Sequence, residues 1–153
     1  MMYLTQILVA LVATVSFAII YNAPKKDLLF CGFTGAIAWI IYYLCIKYIS
    51  GPVAACLFST FVLTIFARFC AAARKTPVTV YLVTGIFPLV PGAGIYYTAF
   101  YFFTGNKEKF ASVGAETLEI AIAIVFGIIF GSAIPQIVFN KLTRNPGTRK
   151  KME

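Results

Sequence analysis

The chain has 153 residues, of which 61% are hydrophobic and only 12% are charged. A soluble domain of this size needs more polar surface, so the composition predicts an integral membrane protein. The formal net charge of +8 comes from basic residues that lie mostly in short segments between apolar stretches and near the C-terminus. This is the distribution of the positive-inside rule, so nucleic acid is not an expected partner.

Five apolar segments are near or above the ~20 helical residues that cross ~30 Å of bilayer hydrocarbon. The first has no basic region ahead of it, so we expect it to remain as a span and not to be cleaved as a signal peptide. The expected fold is all-α, with a single membrane domain over residues 1–140 and a basic cytoplasmic tail over 141–153. The predicted spans lie at about 3–21, 28–46, 53–73, 78–103 and 112–139.

The fourth segment is interrupted at residues 87–94, whose sequence is FPLVPGAG. Two prolines remove backbone donors and two glycines permit non-helical torsions, so an unbroken helix is not expected. A bilayer tolerates irregular backbone only where it is buried in protein or lines a water-filled cavity, as in many transporters. Two half-helices joined by an unwound loop is the simplest interpretation. A re-entrant hairpin, which would leave four spans, is the alternative.

The break is also the predicted substrate site. The second half-helix is expected to begin near Gly92, and the free N–H groups of a helix N-terminus favour an anion such as a carboxylate. In the alternative interpretation, the break is a purely structural kink and binds no substrate. The predicted substrate-binding residues are Thr84, Pro88, Pro91, Gly92, Ala93, Gly94 and Tyr96, with Tyr97 as an alternative to Tyr96.

Small and polar residues at helical spacing predict a packed helix bundle, because small side chains let neighbouring backbones approach closely. The candidate packing residues are Gly32, Gly35, Gly127 and Gly131. A polar stripe follows the third span at Cys56, Thr60, Thr64 and Arg68. We expect the last of these to extend its charge to the cytoplasmic interface.

Glu119 shares the glycine face of the fifth span, so we expect it to point into the bundle. Intramembrane carboxylates are costly and usually functional, which makes Glu119 the candidate for proton coupling. In the alternative interpretation, Glu116 and Glu119 occupy the first turns of a helix, where the dipole and nearby water favour carboxylates. They are the only carboxylates expected to be buried.

No nucleophile–base pair is visible in the sequence, which contains no histidine. This excludes histidine-based catalysis, metal binding and haem ligation. The four cysteines form no CxxC pair and lie in apolar segments, so we expect small buried side chains. The sequence therefore predicts neither an enzyme nor a cofactor or metal site. The cysteines are Cys31, Cys45, Cys56 and Cys70.

With five spans, ten of the thirteen Lys and Arg residues fall on one side, which should be cytoplasmic. The N-terminus would then lie outside the cell membrane and the C-terminus inside. An odd number of spans can pair with a second unit of opposite orientation, which is the plan of many inverted-repeat transporters. The chain would be one half of such a transporter.

Three groups of residues carry a family resemblance. They are Tyr21-Asn22-Ala23-Pro24, Gly32-Phe33-Thr34-Gly35-Ala36 with Trp39, and Lys75-Thr76-Pro77 followed by Phe87-Pro88-Leu89-Val90-Pro91-Gly92 with Tyr96. Together they resemble the threonine/serine exporter family. The resemblance spans nearly the whole chain. It is to the small subunit of split members, which corresponds to the C-terminal membrane half of fused ones.

The resemblance implies an exporter of small carboxylate-bearing metabolites that is driven by an ion gradient. Threonine, serine and dicarboxylates such as succinate are the implied substrates, and a second, longer membrane subunit is the implied partner. A structural or assembly subunit without its own substrate site, or a homo-oligomeric pore, is the alternative.

Overall fold

A computed structural model describes residues 2–48, 51–136 and 139 of the chain, which are helical and contain no strand. The part of the predicted tail from residue 141 onward lies outside these ranges. The α-helices are α1 (Met2–Ile20), α2 (Leu28–Tyr48), α3 (Pro52–Arg74), α4 (Val78–Ile86), α5 (Gly92–Phe103) and α6 (Lys107–Ala133). Two short 3₁₀ helices lie at Lys25–Asp27 and Phe87–Leu89.

Local sequence explains several helix ends. Proline occupies the first position of α3, where its missing N–H removes no helical hydrogen bond. The same helix ends at Lys75 in the left-handed conformation, whose N–H donates to the Ala71 carbonyl. The Asn106 side chain caps α6 by accepting a hydrogen bond from the Lys109 N–H at 3.1 Å.

Three helical segments within the described residues are long and apolar enough to cross a membrane. A fourth candidate is the pair formed by α4 with its 3₁₀ extension and α5, which is bent by 56° at the break. The α1 helix is apolar but shorter over the stretch Thr5–Ile20. The all-helical prediction is confirmed, with three or four candidate spans, whereas the count of five stays a prediction. The three long segments are Lys25–Tyr48, Pro52–Arg74 and Lys107–Ala133.

The α2 helix packs against α1, α3 and α4, while α6 packs mainly on α3 and α5 packs on α6. Contacts between α2 and α4 advance together along both helices, from Cys31 beside Val80 to Thr34 beside Gly85. These two helices are therefore parallel. The α3 helix runs in the opposite direction to α4, because Tyr81 packs with Ala71 near the end of α3, whereas Leu89, later in the chain, packs with Leu63, earlier on α3.

The α3 and α6 helices are parallel and in register. A Cβ atom added at Gly127 would lie 2.7 Å from the Leu57 carbonyl oxygen, and one added at Gly131 would lie 2.6 Å from the Thr64 Cβ atom. The contacts therefore advance in the same direction on both helices. The α5 helix runs antiparallel to α6, because Gly94 faces Thr117 while Gly114 faces Thr98.

One end of the bundle collects the connections after α1 and after α3. The Arg74 Nη2 donates a hydrogen bond to the Lys26 carbonyl at 2.8 Å, which joins the two connections. Both carry lysine or arginine, at 25–26 and 74–75. We call this the basic end of the bundle.

Candidate functional site

The break in the fourth apolar segment is a short irregular stretch between two helices. The α4 helix ends at Ile86, a 3₁₀ turn follows, Val90 is extended, and α5 begins at Gly92. The second helix begins at Gly92 as predicted, whereas the choice between one broken span and a re-entrant hairpin stays a prediction. The prolines explain the geometry, because each removes a backbone N–H that a continuous helix would use.

The break lies against the middle of the bundle. Leu89 is buried among Ala38 of α2 and Leu63 of α3. On the other side, the Phe87 ring stacks on Phe17 of α1 with centroids 3.7 Å apart. The 3₁₀ turn is thus anchored by one aliphatic and one aromatic side chain.

The N-terminus of α5 presents free donors toward the break. The Gly92 N–H donates to the Val90 carbonyl at 2.8 Å, whereas the helix provides no acceptor for the N–H groups of Ala93 and Gly94. Gly92, Ala93 and Tyr96 are exposed, and none of the α5 residues is buried. These donors are therefore accessible.

Thr84 lies apart from that N-terminus. Its side chain is buried in α4, and its hydroxyl donates to the Val80 carbonyl at 2.8 Å. No cavity among the described residues is lined by both Thr84 and Tyr96. The structure thus distributes the predicted site residues over both sides of the break.

Two cavities lie along the seam where α1 meets α4 and the 3₁₀ turn. The break cavity measures about 370 Å³. It is lined by Thr5, Gln6, Val9, Ala10, Ala13, Trp39 and Pro88. The basic-end cavity measures about 230 Å³. It is lined by Tyr21, Asn22, Ala23, Pro24, Thr79, Val80, Val83 and Thr84.

A third cavity of about 590 Å³ separates α5 from α6 and reaches the break at Val90 and Pro91. Its hydroxyl groups belong to Thr98 and Thr117, which both donate to carbonyls of their own helices at 2.7 Å. The remaining lining is apolar. This cavity offers few free polar groups to a solute.

All four predicted packing glycines lie at helix–helix contacts. Gly32 and Gly35 face α1, where an added Cβ would meet Val15 and Thr14. Gly127 and Gly131 face the predicted polar stripe of α3. Thr60 and Thr64 in that stripe each donate to the carbonyl four residues earlier, at 2.7 Å.

Arg68 is 9% exposed and points at the C-terminal end of α6. Its Nη1 donates to the carbonyls of Gly131, at 3.2 Å, and Ser132, and its Nη2 donates to the Gln136 side chain at 2.8 Å. The free carbonyls that end a helix attract a cation, which explains this contact. The expected position of its charge at the cytoplasmic interface stays a prediction.

The buried carboxylate is not where the sequence led us to expect it. Glu116 and Glu119 are both exposed on α6, so the expectation that Glu119 points into this chain's bundle is wrong. Asp27 is instead fully buried at the basic end. The buried residues of α6 that pack on α3 begin with Ala123 and Ile124, one turn beyond Glu119, and Ile120 packs against them partly buried.

Asp27 is held by residues from the connection after α3. The Arg74 Nε donates to one carboxylate oxygen, and the Thr76 hydroxyl donates to the other at 3.0 Å. The Tyr81 hydroxyl is buried and makes no hydrogen bond among the described residues. One signal was available in the sequence, since Asp27 is the only acidic residue before Glu108.

The four cysteines are buried side chains, as expected. Within the described ranges, no group of three or more His, Cys, Asp or Glu side chains is arranged to hold a metal ion.

Comparison with protein families gives one match. The family model described as "Threonine/Serine exporter, ThrE" matches residues 6–134, which include the break and every lining residue of the two seam cavities except Thr5. Neither the curated proteins nor the solved structures gave a match.

Proposed function

Because the chain belongs to the threonine/serine exporter family, we propose that it is a subunit of a secondary-active exporter of small carboxylate-bearing metabolites. The chain is an exporter-type, multi-pass membrane protein and its transport class follows from the family. The proposed substrates are threonine, serine and dicarboxylates such as succinate. We also propose that the chain has no enzymatic activity. The family match over residues 6–134 is the observation that carries it.

We further propose five crossings, with α4 and α5 crossing together as one broken span. The parallel packing of α3 and α6 supports this. If two neighbouring helices run in the same direction, the chain between them must return across the bundle. A re-entrant hairpin at the break would instead bring α6 back from the side where α3 ends, antiparallel to it. The positive-inside rule then favours a cytoplasmic basic end and an N-terminus outside the cell membrane.

The substrate carboxylate is proposed to bind at the break. The free N–H groups of Ala93 and Gly94 supply donors at a helix N-terminus, and the adjacent prolines keep the backbone irregular. Glu119 stays the proposed proton-coupling residue. Since it is exposed on this chain, it would work at a surface completed by another subunit.

The proposed partner is a second, longer membrane subunit of the same family. Two observations support a partner: no residue of α5 is buried within the chain, and α5 exposes a row of aromatic side chains. An odd number of crossings would also leave one half of an inverted-repeat pathway. The aromatic residues are Tyr96, Tyr97, Phe100, Phe102 and Phe103.

Transport into inverted membrane vesicles tests the proposal. Radiolabelled threonine, serine and succinate would be supplied with a proton gradient to vesicles that contain this chain alone, the longer subunit alone, or both. We expect accumulation only with both subunits. Accumulation with this chain alone would indicate a homo-oligomeric pore or carrier, and no accumulation in any pairing would favour an assembly role.

A further inference from the structure

We propose that the solute path of this chain follows the seam between α1 and α4, and that the stacked pair Phe17–Phe87 is the barrier within it. This inference rests on the proposed function for the identity of the solute. Its structural basis is the order of the two seam cavities and the aromatic pair along both helices.

The two cavities lie on opposite sides of the aromatic pair. On the α1 wall, residues 21–24 line the basic-end cavity and residues 5–13 contribute to the lining of the break cavity. Phe17 lies between these two stretches. Along the other wall, the order is residues 79–84, then Phe87, then Pro88. The same sequence of cavity, ring and cavity on both walls places the rings between the two cavities.

The rings close the seam tightly. Their centroids are 3.7 Å apart with an interplanar angle of 17°, so no solute passes between them in this conformation. Tyr21, which lines the basic-end cavity, extends the aromatic contact with its ring centroid 5.7 Å from that of Phe87. The aromatic contact therefore reaches from the stacked pair to the wall of the basic-end cavity.

Phe87 is also well placed to move. It begins the 3₁₀ turn of the break, and such turns have poorer hydrogen-bond geometry than an α-helix and often mark hinges. Pro88 and Pro91 remove the donors that would lock this stretch into a regular helix. A change of the Phe87 side-chain rotamer would separate its ring from Phe17 without moving Leu89, which packs on α2 and α3.

The chemistry of the two cavities suits a small polar solute. The break cavity carries the Gln6 amide and the Trp39 indole, for which the described residues provide no hydrogen-bond partner. Both groups can form hydrogen bonds with a ligand or with water in the cavity. The basic-end cavity adds Asn22 and Thr79. The ligand class is a small carboxylate-bearing solute with further hydrogen-bonding groups.

The larger cavity between α5 and α6 does not compete for this role. Both of its hydroxyl groups are already donated to helix carbonyls, so a polar solute would lose its hydration there without replacement. The proposed second subunit would complete the path along the seam.

Cysteine labelling tests the barrier directly. The four native cysteines are replaced, and single cysteines are introduced at Val83 in the basic-end cavity and at Ala13 in the break cavity. A membrane-impermeant thiol reagent is applied from the side that labels Val83→Cys. We expect Ala13→Cys to react slowly from that side. Adding Phe87→Ala should raise the labelling rate of Ala13→Cys about tenfold. A tenfold change in rate corresponds to about 1.4 kcal/mol, which lies within the range that a stacked aromatic pair contributes.

Phe17→Ala provides a second variant that removes the other ring, and Phe33→Ala on the exposed face of α2 is the matched control. Elution of each variant as a single species in detergent is the check that the variant is folded. An increase with either seam variant and none with the control supports the barrier. No increase with both well-folded seam variants, or an equal increase with Phe33→Ala, overturns it.

The labelling readout does not depend on transport. If no pairing transports a solute but removal of the rings still opens Ala13→Cys, the barrier stands while the exporter proposal fails. If transport is present and neither ring affects labelling, the exporter proposal stands and the seam is not the path.

Discussion

The Asp27 carboxylate has its partners 47 and 49 residues away, at Arg74 and Thr76. Taking a charge out of water costs several kcal/mol unless it is paired and hydrogen-bonded. Both carboxylate oxygens have a donor here, so the cost is offset. The pair joins the two connections at the basic end.

We expect Arg74→Ala to destabilise the protein, because it leaves the Asp27 charge buried and unpaired. Removing one partner of an ion pair leaves the buried carboxylate uncompensated, and because the Arg74 side chain is 28% exposed, solvent screens part of the loss. Thermal unfolding in detergent measures the effect, with Lys25→Ala on the exposed surface as the control. Equal unfolding temperatures for Arg74→Ala and wild type would contradict the role of the pair.

Glu119→Gln should reduce transport driven by a pH gradient and spare exchange of substrate between compartments of equal pH. The amide has nearly the same shape but carries no exchangeable proton in this role. Glu116→Gln, one turn earlier on the same exposed stretch, is the control. An unchanged pH dependence in Glu119→Gln would show that coupling lies elsewhere in the exporter.

These two acidic residues also show what the sequence could and could not predict. Helical spacing places Glu119 on the glycine face, yet only the tertiary contacts determine that this face meets α3 one turn later. Asp27 lies in a short polar connection, and its burial depends on partners that are distant in sequence. The local sequence pattern therefore pointed to Glu119 as the buried carboxylate, whereas the carboxylate that is buried in the structure is Asp27.

At the scale of helices, the contact between α3 and α6 depends on backbone proximity. The Leu57 carbonyl would lie 2.7 Å from a Cβ atom at Gly127, and a carbonyl within a helix cannot move aside cheaply. Thr60 lies against the same glycine. The two helices can pack at this distance only because residue 127 has no side chain.

Gly127→Ala should therefore destabilise the protein by about 1–3 kcal/mol, the usual cost of overpacking. The sign is informative, since alanine is otherwise favoured over glycine in a helix by about 1 kcal/mol. Gly92→Ala is the matched control, because an added Cβ there meets no atom within 4 Å. If thermal unfolding shows Gly127→Ala to be as stable as that control, the close contact is not required.

The double variant Pro88→Ala/Pro91→Ala should restore a continuous helix across the break and abolish transport. Membrane insertion should be retained, since the segment stays apolar. Transport into vesicles, normalised to the amount of inserted protein, measures the outcome. Pro52→Ala at the first position of α3 is the control, because that proline interrupts no helix. Normal transport by the double variant would refute substrate binding at the break.

The break was predictable because its causes are local: two prolines and two glycines act on their own backbone. The 56° bend and the partners of the 3₁₀ turn were not, because they depend on Phe17, Ala38 and Leu63 from other helices. The parallel register of α3 and α6 likewise depends on residues 67 positions apart.

For the whole molecule, the proposed topology predicts where introduced cysteines are labelled. In a background without the native cysteines, cysteine at Asn106 and cysteine at Gly147 should react from opposite sides of the membrane. Asn106 caps the start of α6, whereas Gly147 lies outside the described residues. Labelling of both from the same side would support the re-entrant arrangement with four crossings.

The Thr60 and Thr64 hydroxyls donate to carbonyls of their own helix, and this bears on how the chain assembles during synthesis. Chains emerge from the ribosome N-terminus first, so α3 reaches the lipid well before α6. The hydroxyls of Thr60 and Thr64 already have their hydrogen-bond acceptors within α3, so their exposure to hydrocarbon costs little free energy. The Arg68 guanidinium has no such acceptors at that stage, because its acceptors are synthesised only with the end of α6. A nascent chain that stops short of residue 131 therefore holds the Arg68 cation without its hydrogen-bond acceptors, which is costly in hydrocarbon.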